Sequence, residues 1–301
     1  MIELLRDLIF DYTLRNVALG SALLGIVSGA LGTFAVLRRQ GLLGDALAHA
    51  ALPGICLAFM ITGEKTPIIL MLGAAISGWL GTLLLLHIVH QTIIDEDAAL
   101  GIILSVFFGI GIVLLTFLQR SGNANQAGLD KYLFGQAATL VQEHVTTMAI
   151  LGTLAISIVV LLYKEFKLIT FDASFAASIG FGAGWVNVLL TFLVVMPLVL
   201  GLPTVGVVLL AALLIGPAAA APLWTNSLSH MILLTSTIGA LSGVGGALIS
   251  VTTSRLPTGP VIILVLTAFV VISLLFGSAR GLFWDWLRNR NRVLTAPEEI
   301  V

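Results

Sequence analysis

The sequence predicts an all-α, polytopic membrane protein of about eight to nine transmembrane helices, and three observations carry that expectation. Of its 301 residues, 58% are hydrophobic and 10% charged, where a soluble domain carries roughly a quarter charged residues. The mean hydropathy is +1.11. The apolar residues gather in runs long enough to cross a bilayer, which takes about 20 residues per helix. These features exclude a soluble enzyme, a disordered chain and a nucleic-acid binder. A formal net charge of −1, with no long basic stretch, adds to the last exclusion.

Apolar runs between charged residues, Gly or Pro give nine segments, at about 15–37, 45–62, 67–90, 99–118, 144–163, 183–200, 204–222, 229–250 and 257–276. Several are short or interrupted by Pro and Gly, so eight spans with a re-entrant piece fit as well. Residues 1–14 form an N-terminal segment, 15–276 the transmembrane domain, and 277–301 a basic tail with Trp284 and Trp286. The first segment carries Gly25 and Gly29, the third Gly73 and Ser77, and the eighth Gly239 and Gly243. Each pair is small-xxx-small, the spacing that lets helices approach closely in lipid. Ser28-Gly29-Ala30-Leu31-Gly32-Thr33 is echoed by Ser77-Gly78-Trp79-Leu80-Gly81-Thr82, which close packing explains without an ancestral repeat. The longest joints are 119–143 and 164–182.

Lys and Arg set the orientation. With the C-terminus inside, eight basic residues face the cytoplasm and six the outside, and the densest clusters (Arg38-Arg39, Lys164 with Lys167, and the tail arginines) all lie inside. The N-terminus has acidic Glu3 and Asp7 where a cleaved leader would be basic, so it reads as retained. The lone cysteine, Cys56, excludes a disulfide framework. A bacterial cytoplasmic membrane fits these features.

Asp45 and His49 are the residues that need a chemical reason. They stand four apart, so a helix puts them on one face. A carboxylate inside an apolar segment costs on the order of 3 kcal/mol. Together, a carboxylate oxygen and an imidazole suit a divalent transition ion such as Mn²⁺, Zn²⁺ or Fe²⁺. Pro53 has no N–H for the His49 carbonyl, so a bend is expected there. The competing reading is that Asp45 merely caps the helix and His49 bonds a carbonyl. Cys56 falls on the same stripe and reads as a packing residue. His87 and His90 beside Asp95, Glu96 and Asp97, His144 beside Glu143, and His230 all read as wetted helix ends. In the joint 164–182, Asp172 can cap a short helix bearing Phe175, Ala176 and Ile179, with Gly180 ending it. Its alternatives are a docking element and a helix lying on the bilayer. Gly63-Glu64-Lys65-Thr66 lacks the spacing of a phosphate loop, so an ATPase would be another chain.

Leu37 to Gly54, with Asp45 and His49 inside it, resembles the hallmark of the permease subunit of bacterial manganese/zinc/iron ABC importers. Glu96-Asp97-Ala98-Ala99-Leu100-Gly101, Asp130-Lys131-Tyr132-Leu133-Phe134-Gly135, Phe171-Asp172 to Gly180 and Leu213-Leu214-Ile215-Gly216-Pro217-Ala218-Ala219 also match in order. The likeness runs from about 15 to 280. It implies a type II ABC importer-like permease, not itself an enzyme, with no permanently bound cofactor. It further implies a second permease copy, a cytoplasmic ATP-binding subunit and an extracytoplasmic metal-binding protein as partners, besides membrane lipid and without nucleic acid. Asp45 and His49 match the family's metal positions; Phe171, Asp172, Phe175, Ala176 and Gly180 match its coupling helix. Manganese is the preferred cargo, with zinc or iron open. The alternative is a proton-coupled secondary transporter using Asp45 and His49 as a relay.

Overall fold

The computed structural model describes residues 12–40, 43–64, 66–120, 140–252 and 256–284, and of Asp45 it describes the backbone. Among these residues every long element is a helix. In chain order they are α1 (Tyr12–Leu37), α2 (Leu43–Thr62), α3 (Pro67–Gln91), α4 (Glu96–Arg120), α5 (Gln142–Leu161), α6 (Tyr163–Phe171), α7 (Ala173–Ser178), α8 (Ala183–Ala220), α9 (Leu228–Thr252) and α10 (Thr258–Phe276). Six of them are long and apolar enough to cross a membrane. Shorter apolar stretches at Ala48–Thr62, Gly184–Leu198 and Val208–Leu223 complete the set. The nine apolar segments thus recur as helices, and the chain is a multi-pass membrane protein.

The small residues decide which helices touch. Gly25 and Gly29 of α1 lie against Gly239 and Thr235 of α9, so close that a Cβ on either glycine would strike backbone. A Cβ on Gly243 would stand 2.6 Å from the Ser21 carbonyl oxygen. The Thr33 and Thr235 hydroxyls meet at 2.9 Å, and Ser236 donates to the Ile26 carbonyl at 3.3 Å. Where lipid supplies no hydrophobic drive, dispersion and such bonds hold the seam. A second seam joins α2 to α3: Gly54 faces Gly73, and Ser77 donates to the Ala50 carbonyl at 2.6 Å. The two small-residue motifs that resemble each other in sequence therefore serve the same packing purpose.

α8 joins two of the expected segments, 183–200 and 204–222, across a break. Gly206 has φ +77 and ψ 166, a conformation open essentially to glycine. α2 runs on through Pro53 as one helix.

The joint 164–182 is a correction. It is not a loop around one short helix: α6 precedes α7, and Phe166 and Ile169, three apart, are buried. Lys164, Glu165 and Lys167 mask this periodicity in the sequence. After α10 the chain folds back, and the Ala279 and Arg280 amides donate to the Leu223 carbonyl at 2.9 and 3.2 Å. The 277–301 tail is described only to Trp284, and Trp286 lies outside the described residues.

Candidate functional site

Helix α2 begins inside the packed end of the bundle. Gly44 and Ala46 are buried, and Gly44 packs on the Leu214 side chain. Leu214 stands six residues, about 9 Å of helical rise, before the end of α8 at Ala220. Asp45 is in the first turn of α2 and His49 in the second, one turn apart. A carboxylate in a first turn benefits from the free amides and the positive end of the helix dipole. The start of α2 is therefore a place where a negative charge is tolerated although its neighbours are apolar.

His49 is half-buried and meets Phe108 of α4, with ring centroids 4.6 Å apart and planes at 71°. One turn on, Leu52 fills the space over Gly111, and Cys56 lies with its Sγ 3.9 Å from the Gly111 carbonyl oxygen. The stripe through His49 and Cys56 is thus the α2–α4 interface. Cys56 is buried, as a packing residue should be. Phe108 is the neighbour that sequence reasoning missed, since nothing in a run of apolar residues marks which one abuts a histidine. Among the described residues, no three His, Cys, Asp or Glu side chains gather as a metal cage. His87, His90 and His230 are exposed at helix ends. His144 instead lines an apolar cleft of about 610 Å³ between α3, α5 and the first half of α8, away from α2.

At the end of the bundle where α1 stops, polar side chains knit α1 to α4 and α8. The last turn of α1 closes with the Gln40 amide on the Ala35 carbonyl at 2.9 Å and the Arg39 amide on Val36 at 3.0 Å. This is the six-to-one and five-to-two pattern that normally places glycine at the left-handed position. Here Arg39 occupies it, with φ +61. Arg38 donates to the Asn187 side-chain oxygen on α8, and Gln40 donates to Glu96 at the head of α4 at 2.5 Å. Burial lowers the pKa of Arg38, and the charge of Glu96 opposes that shift.

The expected short helix is present as α7. The Asp172 carboxylate accepts from the Phe175 amide at 2.8 Å and from the Ser174 hydroxyl at 2.8 Å, and both bonds hold its pKa below the usual value. The helix ends with the Phe181 amide on Ala176 and the Gly180 amide on Ala177, both at 3.1 Å, with Gly180 at φ +73. Ala176 is fully buried, whereas Phe171, Phe175 and Ile179 are each more than half exposed. The Asp130 to Gly135 motif lies outside the described residues.

Known proteins resemble this chain over nearly its whole length. The profile of the ABC 3 transport family matches residues 10–277. The chain is 48% identical over 295 residues to the zinc transport system membrane protein TroC of Treponema pallidum, covering 98% of this chain and 99% of that protein. It is 45% identical over 283 residues to the manganese transport system membrane protein MntC of Bacillus subtilis, covering 94% of this chain and 65% of the relative. Among solved structures, PsaBC from Streptococcus pneumoniae in complex with Fab superposes with a TM-score of 0.81 at 31% identity, over 97% of this chain and all of that one.

Proposed function

The chain belongs to the ABC 3 transport family, and on that premise we propose that it is the membrane permease of an ATP-driven importer of a divalent transition metal, manganese or zinc. Family membership over nearly the whole chain is the observation that carries the reading. TroC is named for zinc and MntC for manganese, and one carboxylate with one imidazole suits either ion. Asp45 and His49, at the buried start of α2, are the pair assigned to the ion. They displace part of its water shell. Two ligands per chain hold an ion loosely, which transport needs, because a closed cage would not let it leave. A second copy of the chain, facing the first, supplies the matching pair.

Helix α7 is assigned to the cytoplasmic ATP-binding subunit, which carries the hydrolysis that this chain does not perform. Phe171, Phe175 and Ile179 enter its surface while Asp172, Ala176 and Gly180 hold the helix in shape. An extracytoplasmic metal-binding protein delivers the ion on the other side.

The reading is tested in proteoliposomes holding the permease and its ATP-binding subunit, with the metal-loaded binding protein supplied. Uptake of Mn²⁺ or Zn²⁺ should require ATP and survive a proton ionophore; the reverse pattern would restore the secondary-transporter alternative. Asp45→Asn should abolish uptake and leave the amount of assembled complex unchanged. Full uptake by that variant would remove Asp45 from the path.

A further inference from the structure

Helix α7 hangs between α6 and α8, and both are tied to one turn of α1. On the α6 side, fully buried Phe166 meets Phe34 edge to face, with ring centroids 5.9 Å apart. On the α8 side, Asn187, just past the first turn of that helix, accepts from Arg38. Phe34 and Arg38 are one turn apart, and the Arg38 amide donates to the Phe34 carbonyl at 3.0 Å. Two residues further, Gln40 is fixed to Glu96 on α4, and three residues beyond Gln40 α2 begins. One path from the docking helix to the helix of Asp45 and His49 therefore runs through this short turn, beside the direct contact of Leu214 in α8 with Gly44.

The geometry points to this turn, from Phe34 to Gln40, as the relay that passes a displacement of α7 to the start of α2, with the Arg38–Asn187 hydrogen bond as the contact that parts and re-forms in each transport cycle. The inference rests on the permease reading above. The two ties differ in kind. The Phe34–Phe166 contact is apolar and fully enclosed, so separating it would strip both rings of their neighbours. The Arg38–Asn187 bond joins groups that are only half-buried at the end of the bundle, so it parts more readily than the enclosed ring contact, although the guanidinium is partly desolvated. Arg39 in the left-handed region makes the turn tight and strained, which leaves little slack to absorb a movement. Arg38 and Asn187 act by position and touch neither ion nor nucleotide.

The test uses the complete complex in proteoliposomes and reads metal ions moved per ATP hydrolysed. In Arg38→Gln and Asn187→Ala, hydrolysis should stay within about twofold of the parent while ions per ATP fall about tenfold, a size typical of residues on a coupling route. The double variant should lose no more than the worse single one, since both remove one contact. Asn187→Asp gives the guanidinium a stronger partner. It should keep the ratio of ions to ATP but slow the cycle several-fold. Variants whose uptake and hydrolysis fall in proportion would make the contact a strut, and Asn187→Asp cycling at the parental rate would equally overturn the relay. A parent complex that moves no metal on ATP overturns the permease reading and the relay with it; a working parent with unchanged variants overturns the relay alone.

Discussion

Asp172 illustrates how one side chain shapes a surface. Its carboxylate caps α7 by accepting from the Phe175 amide, and this depends on charge. The folded pKa is lowered, so the cap's contribution is complete above the ordinary carboxylate pKa and is lost as pH falls through the lowered folded value. Hydrogen exchange at the Phe175 amide should therefore stay slow through mildly acidic conditions and speed up only below the usual carboxylate range. In Asp172→Asn, whose amide oxygen also caps, the exchange should lose that acid transition; an unchanged acid profile would count against the cap. Asp172 was legible in the sequence because a cap, its helix and the closing Gly180 lie within nine residues. The Arg38–Asn187 bond was not, since its partners are 149 residues apart and neither lies in a pattern that names the other.

At the scale of elements, close backbone approach shapes the α1–α9 seam. The α1–α9 seam predicts that Gly239→Ala is destabilising by about 1–3 kcal/mol, the usual cost of overpacking, because the added methyl would collide with the Gly25 carbonyl. Gly184→Ala is the control: a Cβ there meets open space, and the gain in helix propensity makes it neutral or mildly stabilising. Thermal unfolding of the two variants in detergent should separate them, and equal midpoints would refute the seam as a source of stability. The apolar segments could be read from sequence because a span must be apolar along about 20 residues. Helix α6 escaped notice because it is nine residues long with three charged ones, and its two buried residues make too brief a period. For the candidate site, the spacing of Asp45 and His49 was readable, but the depth at which α2 starts depends on Leu214 of α8, far along the chain.

For the whole molecule, the seam between α1 and α9 has a consequence for biosynthesis. Thr33 and Thr235, which bond across it, are separated by 202 residues. A ribosome adding about 5–20 residues per second needs on the order of 10–40 s to make the second partner after the first. Through that interval the earliest span must wait in the membrane with Ser21, Gly25 and Gly29, the residues α9 packs against, uncovered on that side. Chains truncated after Leu223 should be cleared by membrane proteolysis far faster than the full chain, and co-expression of residues 224–301 as a separate piece should slow that clearance. A pulse-chase measurement decides it; equal half-lives with and without the second piece would mean that α1 needs no such cover. A close seam of the finished protein is thus among the last to form, and one face of α1 stays without its partner until α9 has been made.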